Sequence, residues 1–418
     1  MKRITVIIMA GCVLPLNSQA NDFIEQSTAS LTSRNYYLDR NFTNNNTLSG
    51  AQDWAQGFIF NFKSGYTEGK IGVGLDIQGL TSIKLHADPD YLGSGLLPTN
   101  STTRERSNTA SEIGITAKLK YQDTELKAGT VHPWNPVIFG SVSRLLPQTF
   151  QGISFDSKDF DNLELTAGYI EHVNHRDSTN HEDLSNIAFN GRFKAASSDH
   201  FNYIGGKYQF SPSTQTGLYY AIAKDIYEQS AFTFKKTSAL QDHLNLITDI
   251  RLWNSQENGQ ALAGKIDNTL LTANLGFNYH QHTLTLSTMQ NFGSTAHPYL
   301  SGGEVLIFID GWSTDFLNPK EKVYAIRYDY DFKSYIPGLK FMTRYTRGDH
   351  INLPHLGGTN LHEDSLDFDL HYVIPTGKFK GLGLRGRYGI YDNNFSQNAT
   401  FKPAHETRIN IDYTWKFK

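Results

Sequence analysis

Along nearly its whole length the chain alternates apolar and polar residues with a period of two, in runs of roughly ten, and it carries no sustained helical repeat. Successive side chains of an extended strand point to opposite faces, so each such run has one greasy face and one wet face. Ile71, Val73, Leu75 and Ile77 alternate with Gly72, Gly74, Asp76 and Gln78. Tyr324, Ile326, Tyr328, Tyr330 and Phe332 alternate with Ala325, Arg327, Asp329 and Asp331. A soluble sandwich alternates as well, so the number of runs and the lengths of their connections have to decide.

Those connections are alternately short and long. Short ones fall near 65–69, 122–124, 157–161, 211–214, 237–241, 280–282, 334–337 and 375–380. Between them lie 41–53, 87–109, 132–148, 173–199, 227–230, 255–267, 294–320, 349–362 and 392–404, mostly long and rich in Gly, Asn, Asp and His. Eight inner turns and nine outer loops join about 18 strands with both ends on the periplasmic side, provided residues 184–194 lie in an outer loop. The sequence therefore predicts an all-β fold, a transmembrane antiparallel β-barrel.

Residues 1–20 read as a secretory signal peptide: Lys2 and Arg3, an apolar run over 4–16, then Ser18, Gln19 and Ala20. A lipoprotein box at Met9, Ala10, Gly11 and Cys12 is the rival reading. The mature chain, 21–418, is then one barrel domain. Cys12 is the only cysteine, so no disulfide holds that domain. Removing Lys2 and Arg3 from 38 basic residues leaves 36 against 41 acidic ones, a net charge of −5 that gives no reason to expect a nucleic-acid partner. Aromatics reach 13% while hydrophobic residues stay at 39%, as suits a wet interior and aromatic girdles facing lipid. The last strand ends in Tyr413, Trp415 and Phe417 at alternate positions, which resembles the signal read by barrel-assembly machinery.

Parity places Arg385 and Arg387 together on the polar face of their strand, with Arg327 and Arg344 on neighbouring ones and Lys118, Lys120 and Lys127 further round. Fixed cations in a low-dielectric wall concentrate anions, and the planar guanidinium binds carboxylate at two points. The alternative is that Asp329, Asp331, Asp367 and Asp369 simply neutralise them. The stretch 132–152 carries Trp134, Val137, Ile138, Phe139, Leu145 and Leu146 with Arg144 among them, too apolar for an ordinary surface loop, and is expected to fold inward as a constriction. His172, His175 and His181 are irregularly spaced in a polar loop and read as solvated; no metal or other cofactor is expected. No Ser, His and Asp constellation sits in a nucleophile elbow, so an enzyme is not expected.

Six segments in order resemble the OprD family of substrate-specific outer-membrane porins: RNYYLDRN at 34–41, WAQGFIFNFKSGYTEGKIGVGLDIQG at 54–79, SRLLPQTFQG at 143–152, YIGGKY at 203–208, KDIYEQ at 224–229 and GLKFMTRYTRGDHI at 338–351. The resemblance implies an eighteen-strand barrel, monomeric or a loose trimer, set in outer-membrane lipid and narrowed by inward-folded loops. It also implies a basic ladder, for which Arg385, Arg387 and Arg344 match best. The loop 294–320 resembles the family's second lumen-entering loop, making Glu304, Asp310 and Asp315 candidates for an acidic counter-wall. Family members pass small carboxylate-bearing solutes, and relatives at its edge pass chito-oligosaccharides. A passive, carboxylate-preferring porin is thus the first reading. An oligosaccharide channel using Trp54, Trp134, Trp253 and Trp312 as platforms is the alternative.

Overall fold

The computed structural model describes residues 20–44, 47–309 and 311–417. The expected signal peptide lies outside the described residues except for Ala20. Eighteen long strands form one antiparallel sheet, beginning with Thr28–Phe42 and ending with Ala404–Lys416. These two pair with each other from Ser30 opposite Lys416 to Phe42 opposite Ala404, which closes the barrel. Closure satisfies every strand edge, the condition for spanning hydrocarbon with strands.

The alternation sorts as expected. Ile113 and Ile115 are 73% and 55% exposed on the outside, while Thr116 and Lys118 on the opposite parity are buried. In the last strand Ile409, Ile411 and Trp415 face outward and Arg408 and Asn410 inward.

The strand count holds, but some boundaries differ. The turn expected at 237–241 lies two residues further on, because Thr237, Ser238 and Ala239 stay paired with Ile247, Leu246 and Asn245. At a rim where both faces meet water, a polar run can still extend a ladder, and the reversal falls at His243, in left-handed conformation with φ 65°. The strands Leu339–Leu353 and Gly358–Val373 likewise run on through much of the loop expected at 349–362, with Ile351 opposite Leu361. Residues 184–194 do not cross the membrane: 184 and 185 end the short strand Glu182–Ser185, and 186–194 lie between it and the short strand Ser197–Ser198.

The barrel is not hollow. Three outer loops turn inward and share one apolar cluster, in which Val137 and Ile138, Leu184 and Ile187, and Phe316 and Leu317 come from the three loops. Trp253, fully buried on the strand Leu244–Glu257, donates its indole N–H to the Pro136 carbonyl at 2.9 Å. A second cluster joins Leu96 and Leu97 of the 87–108 loop to Leu145 and Leu146, seated on Tyr36 and Leu38 of the first strand.

Candidate functional site: a guanidinium wall and the loop against it

Strand register assembles the site. Across the closing seam Arg385 lies opposite Asn410, Arg387 opposite Arg408, and Arg34 opposite Asp412, while Arg40 pairs with Glu406. These inward positions alternate along the first and last two strands, so five guanidiniums line one wall in a string: Arg40, Arg408, Arg387, Arg385 and Arg34. Arg40 and Arg408 share the fully buried Glu406. Arg34 Nε donates to Asp412 at 2.6 Å.

Arg387 differs from its neighbours. Its Nη2 donates to the Tyr36 hydroxyl at 2.9 Å and to Asn410 Oδ1 at 2.8 Å, and its buried Nε has no hydrogen-bond partner. Arg144, carried by the constriction loop, also leaves its Nε unpartnered. Burial, then the nearby guanidiniums of Arg408 and Arg176, press Arg144 well below the ordinary arginine range. Among the described residues neither Arg144 nor Arg387 forms an ion pair with a carboxylate. The loop is held on the wall by Arg34 Nη1, which donates to the Arg144 carbonyl at 2.9 Å, and by the Tyr36 hydroxyl on the Ser143 carbonyl at 3.3 Å.

The 294–321 loop reaches the same wall from the other side. The Trp312 carbonyl accepts from Arg40 Nη2 at 3.2 Å and Arg408 Nη2 at 2.7 Å, and its ring lies 5.9 Å from Arg387 and 5.8 Å from Arg408. Gly389 makes room for that ring, since a Cβ there would stand 3.2 Å from it. The two inward loops also touch, with Glu304 accepting from Ser141 Oγ at 2.7 Å.

The other candidates fall into three groups. Arg327 with Asp329 at 2.7 Å, Arg344 with Asp367 at 2.7 Å, and Arg385 with Asp369 realise the neutralising pairs the sequence offered as the alternative. Lys118 pairs with Asp76 at 2.6 Å and, with Lys120, covers the Tyr66 ring; Lys127 pairs with Glu125. Lys118 and Lys120 are thus engaged by a periplasmic turn and a neighbouring strand, and Lys127 by its own strand. Asp315 is clamped by Arg192 at 2.7 and 2.8 Å and by the Tyr299 hydroxyl at 2.8 Å, which makes it a fastening of the loop; Asp310 lies outside the described residues. Sequence reasoning missed Arg34, Arg40, Arg176, Arg251 and Arg408. Parity was the signal for Arg408; for Arg34 and Arg40 it was masked by Tyr36 and Leu38, which share their face.

Inward of the constriction the lumen widens to a cavity of about 960 Å³ whose lining includes Lys63, Lys127, His132, Trp134, Tyr203 and Tyr219. Among the described residues no group of three or more His, Cys, Asp or Glu is arranged to hold a metal ion.

A family model described as outer membrane porin, OprD family, matches residues 21–417. The porin-like protein GalP of Pseudomonas putida is 31% identical over 96% of this chain and 94% of its own length. The crystal structure of Acinetobacter baumannii OccAB2 is 49% identical and superposes with a TM-score of 0.91 over 95% of this chain and all of that one. Pseudomonas aeruginosa OpdK, crystallised with vanillate, is 30% identical with a TM-score of 0.87 over 94% of this chain and all of that one.

Proposed function

Because the chain belongs to the OprD family of outer-membrane porins, which are channels and not enzymes, we propose that it passes small carboxylate-bearing solutes passively, selecting them along the wall of Arg40, Arg408, Arg387, Arg385 and Arg34. One observation carries this reading: Arg387 and Arg144 both stand near Tyr36 beside the constriction loop, neither in an ion pair with a carboxylate among the described residues and each with an unpartnered Nε. A buried cation short of an anion favours a solute that brings one, because charge-assisted hydrogen bonds are roughly twice as strong as neutral ones. Several such sites in series let the solute leave again, whereas one deep site would trap it. OpdK was crystallised with vanillate, an aromatic carboxylate, which fits the same chemistry.

The oligosaccharide reading has less support. Trp54 sits on the outer face, opposite in parity to the buried Asp53, and Trp253 is fully buried under the loops. Trp134 lines the inner cavity and Trp312 lies against the guanidiniums, so among the described residues the four tryptophans form no continuous platform. The same proposal includes removal of residues 1–20 on export, insertion of 21–418 as one barrel domain in the outer membrane with the aid of assembly machinery, and a monomer or loose trimer.

The test is current recording in planar bilayers with benzoate, its neutral isostere benzamide, and a linear glucose oligosaccharide. Benzoate is expected to interrupt the current where the other two do not, and Arg385→Ala with Arg387→Ala to abolish the interruptions. Interruptions by the oligosaccharide alone, or a double variant that still responds to benzoate, would refute the reading.

A further inference from the structure

The root of the second inward loop, 312–321, is fastened to the barrel by two carboxyl groups that have no cation of their own. Glu321, at the end of the loop, and Glu363, on the strand Gly358–Val373, are both fully buried. One amide joins them: Asn318 Nδ2 donates to Glu321 at 3.0 Å and to Glu363 at 2.7 Å, and the two carboxyls lie within hydrogen-bonding reach of each other. Glu363 also accepts from the Thr314 and Tyr391 hydroxyls, and Glu321 from the Asn318 backbone N–H at 2.9 Å. The other Glu321 oxygen, Oε1, is buried without a partner and points at Gly348, where a Cβ would overlap it.

Charge does not balance at this root. Arg192 is the cation facing both carboxyls, but its fork is filled by Asp315 at 2.7 and 2.8 Å, and it reaches them only through Asn318 Oδ1. Among the described residues no lysine or arginine forms an ion pair with Glu321 or Glu363, the chain neighbours Lys320 and Lys322 included. Arg347, Asp349 and Asp364 pair with one another on the opposite face of their strands, and Tyr391 faces Glu363 as a neutral donor. With every group ionised, one cation would stand against three carboxylates. Two carboxylates sharing a dry site do not both ionise readily, since no water offsets their repulsion. Burial, and then Glu363, push the Glu321 carboxyl well above the usual carboxylate range.

We propose that Glu321 and Glu363 hold one proton between them and that this proton keeps the loop root docked, making the channel responsive to an alkaline outer medium. The inference is independent of which solute the pore prefers. When hydroxide takes the proton, the carboxyl O–H bond breaks, water forms, and a second carboxylate is left beside a cation that is already engaged.

The root is built to yield. Phe316 and Lys320 are held at φ 54° and 64°, a left-handed conformation that side chains of this size adopt only where the surroundings impose it. A carboxyl held above its ordinary value contributes stability that is whole below its unfolded value and lost as pH rises through the folded one. The fastening by Glu321 and Glu363 thus weakens toward alkaline pH, opposite in direction to that of Asp315. Trp312, whose carbonyl accepts from Arg40 and Arg408, begins the root, so its release reaches the pore wall.

The experiment uses the whole protein in detergent. Chymotrypsin cleavage after Phe316, a residue fully buried while the root is docked, is followed by mass spectrometry from neutral to alkaline pH. The reference at each pH is the Glu321→Gln variant, whose neutral amide mimics the protonated carboxyl. The ratio of cleavage rates, protein to variant, is expected to rise about tenfold per pH unit, as for the loss of one proton. A ratio independent of pH overturns the inference. Infrared spectra of the unmodified protein give a second reading that stands even where the variant does not fold. The carbonyl stretch of a protonated carboxyl group should be present at neutral pH and fade over the range in which cleavage appears. Its absence at neutral pH, or its full persistence while cleavage rises, overturns the inference as well.

Discussion

The two sides of the lumen meet the inward loops by different chemistry. On the side of Trp253, Leu270 and Met289, all at most 1% exposed, the contact is apolar packing over a large continuous cluster. On the side of the first and last strands the loops rest on guanidiniums through the carbonyls of Arg144 and Trp312, beside a smaller apolar cluster on Tyr36 and Leu38. A packed apolar face has nothing to trade with a polar solute, since parting it exposes apolar surface at about 25 cal/mol per Å². A guanidinium in contact with a carbonyl can exchange one oxygen acceptor for another. On the proposed reading the first side anchors and the second carries the pathway.

Removing Arg192 should strain this division most. It would leave Asp315 buried without its countercharge, a loss on the order of 3–5 kcal/mol for a buried pair. Arg192→Ala is expected to make the 294–321 loop cleavable by added protease while the barrel stays heat-resistant on gels. Burial pushes the Asp315 carboxyl up, but Arg192 and then Tyr299 outweigh it and hold it below the usual carboxylate range. A depressed carboxyl contributes stability that is whole above its unfolded value and is lost as pH falls through the folded one. Protease resistance of the unmodified loop should accordingly persist to pH 4 and decline below it.

A smaller effect is expected from Trp253→Phe, which keeps most of the packing but strands the Pro136 carbonyl without its donor, at a cost of about 1–3 kcal/mol. Single-channel traces should become noisier while the interruptions by benzoate persist. If those interruptions disappeared instead, the anchoring side would have to be counted as part of the pathway. Smallest of all should be Arg327→Ala. Its pair with Asp329 is 40% and 31% exposed, where an ion pair contributes about 0–1 kcal/mol. Neither protease resistance nor benzoate response should move.

What was legible in the sequence follows the same line. Alternation gave the strand number, because each lipid-facing side chain is selected one position at a time by the same hydrocarbon. Parity gave Arg385 and Arg387 for the same reason. It failed at Arg34 and Arg40, where the inward face also carries Tyr36 and Leu38 and the outward one Asn35 and Asp39. Loops returning from far along the chain make that part of the lumen greasy, so the local pattern is inverted. At Asp315 the acidic counter-wall reading fails similarly. Asp315 looked available in its own loop, but its partner Arg192 lies 123 positions earlier, and no local periodicity encodes that meeting.

On the proposed function, solutes are handled on the guanidinium side of the lumen and not on the apolar one. A crystal structure of the protein soaked with benzoate tests it most directly. The carboxylate of benzoate is expected within hydrogen-bonding distance of Arg387 or Arg144, with the Trp253 side unchanged. Benzoate lodged against the Trp253 cluster, or absent from both arginines while bound elsewhere in the lumen, would contradict it.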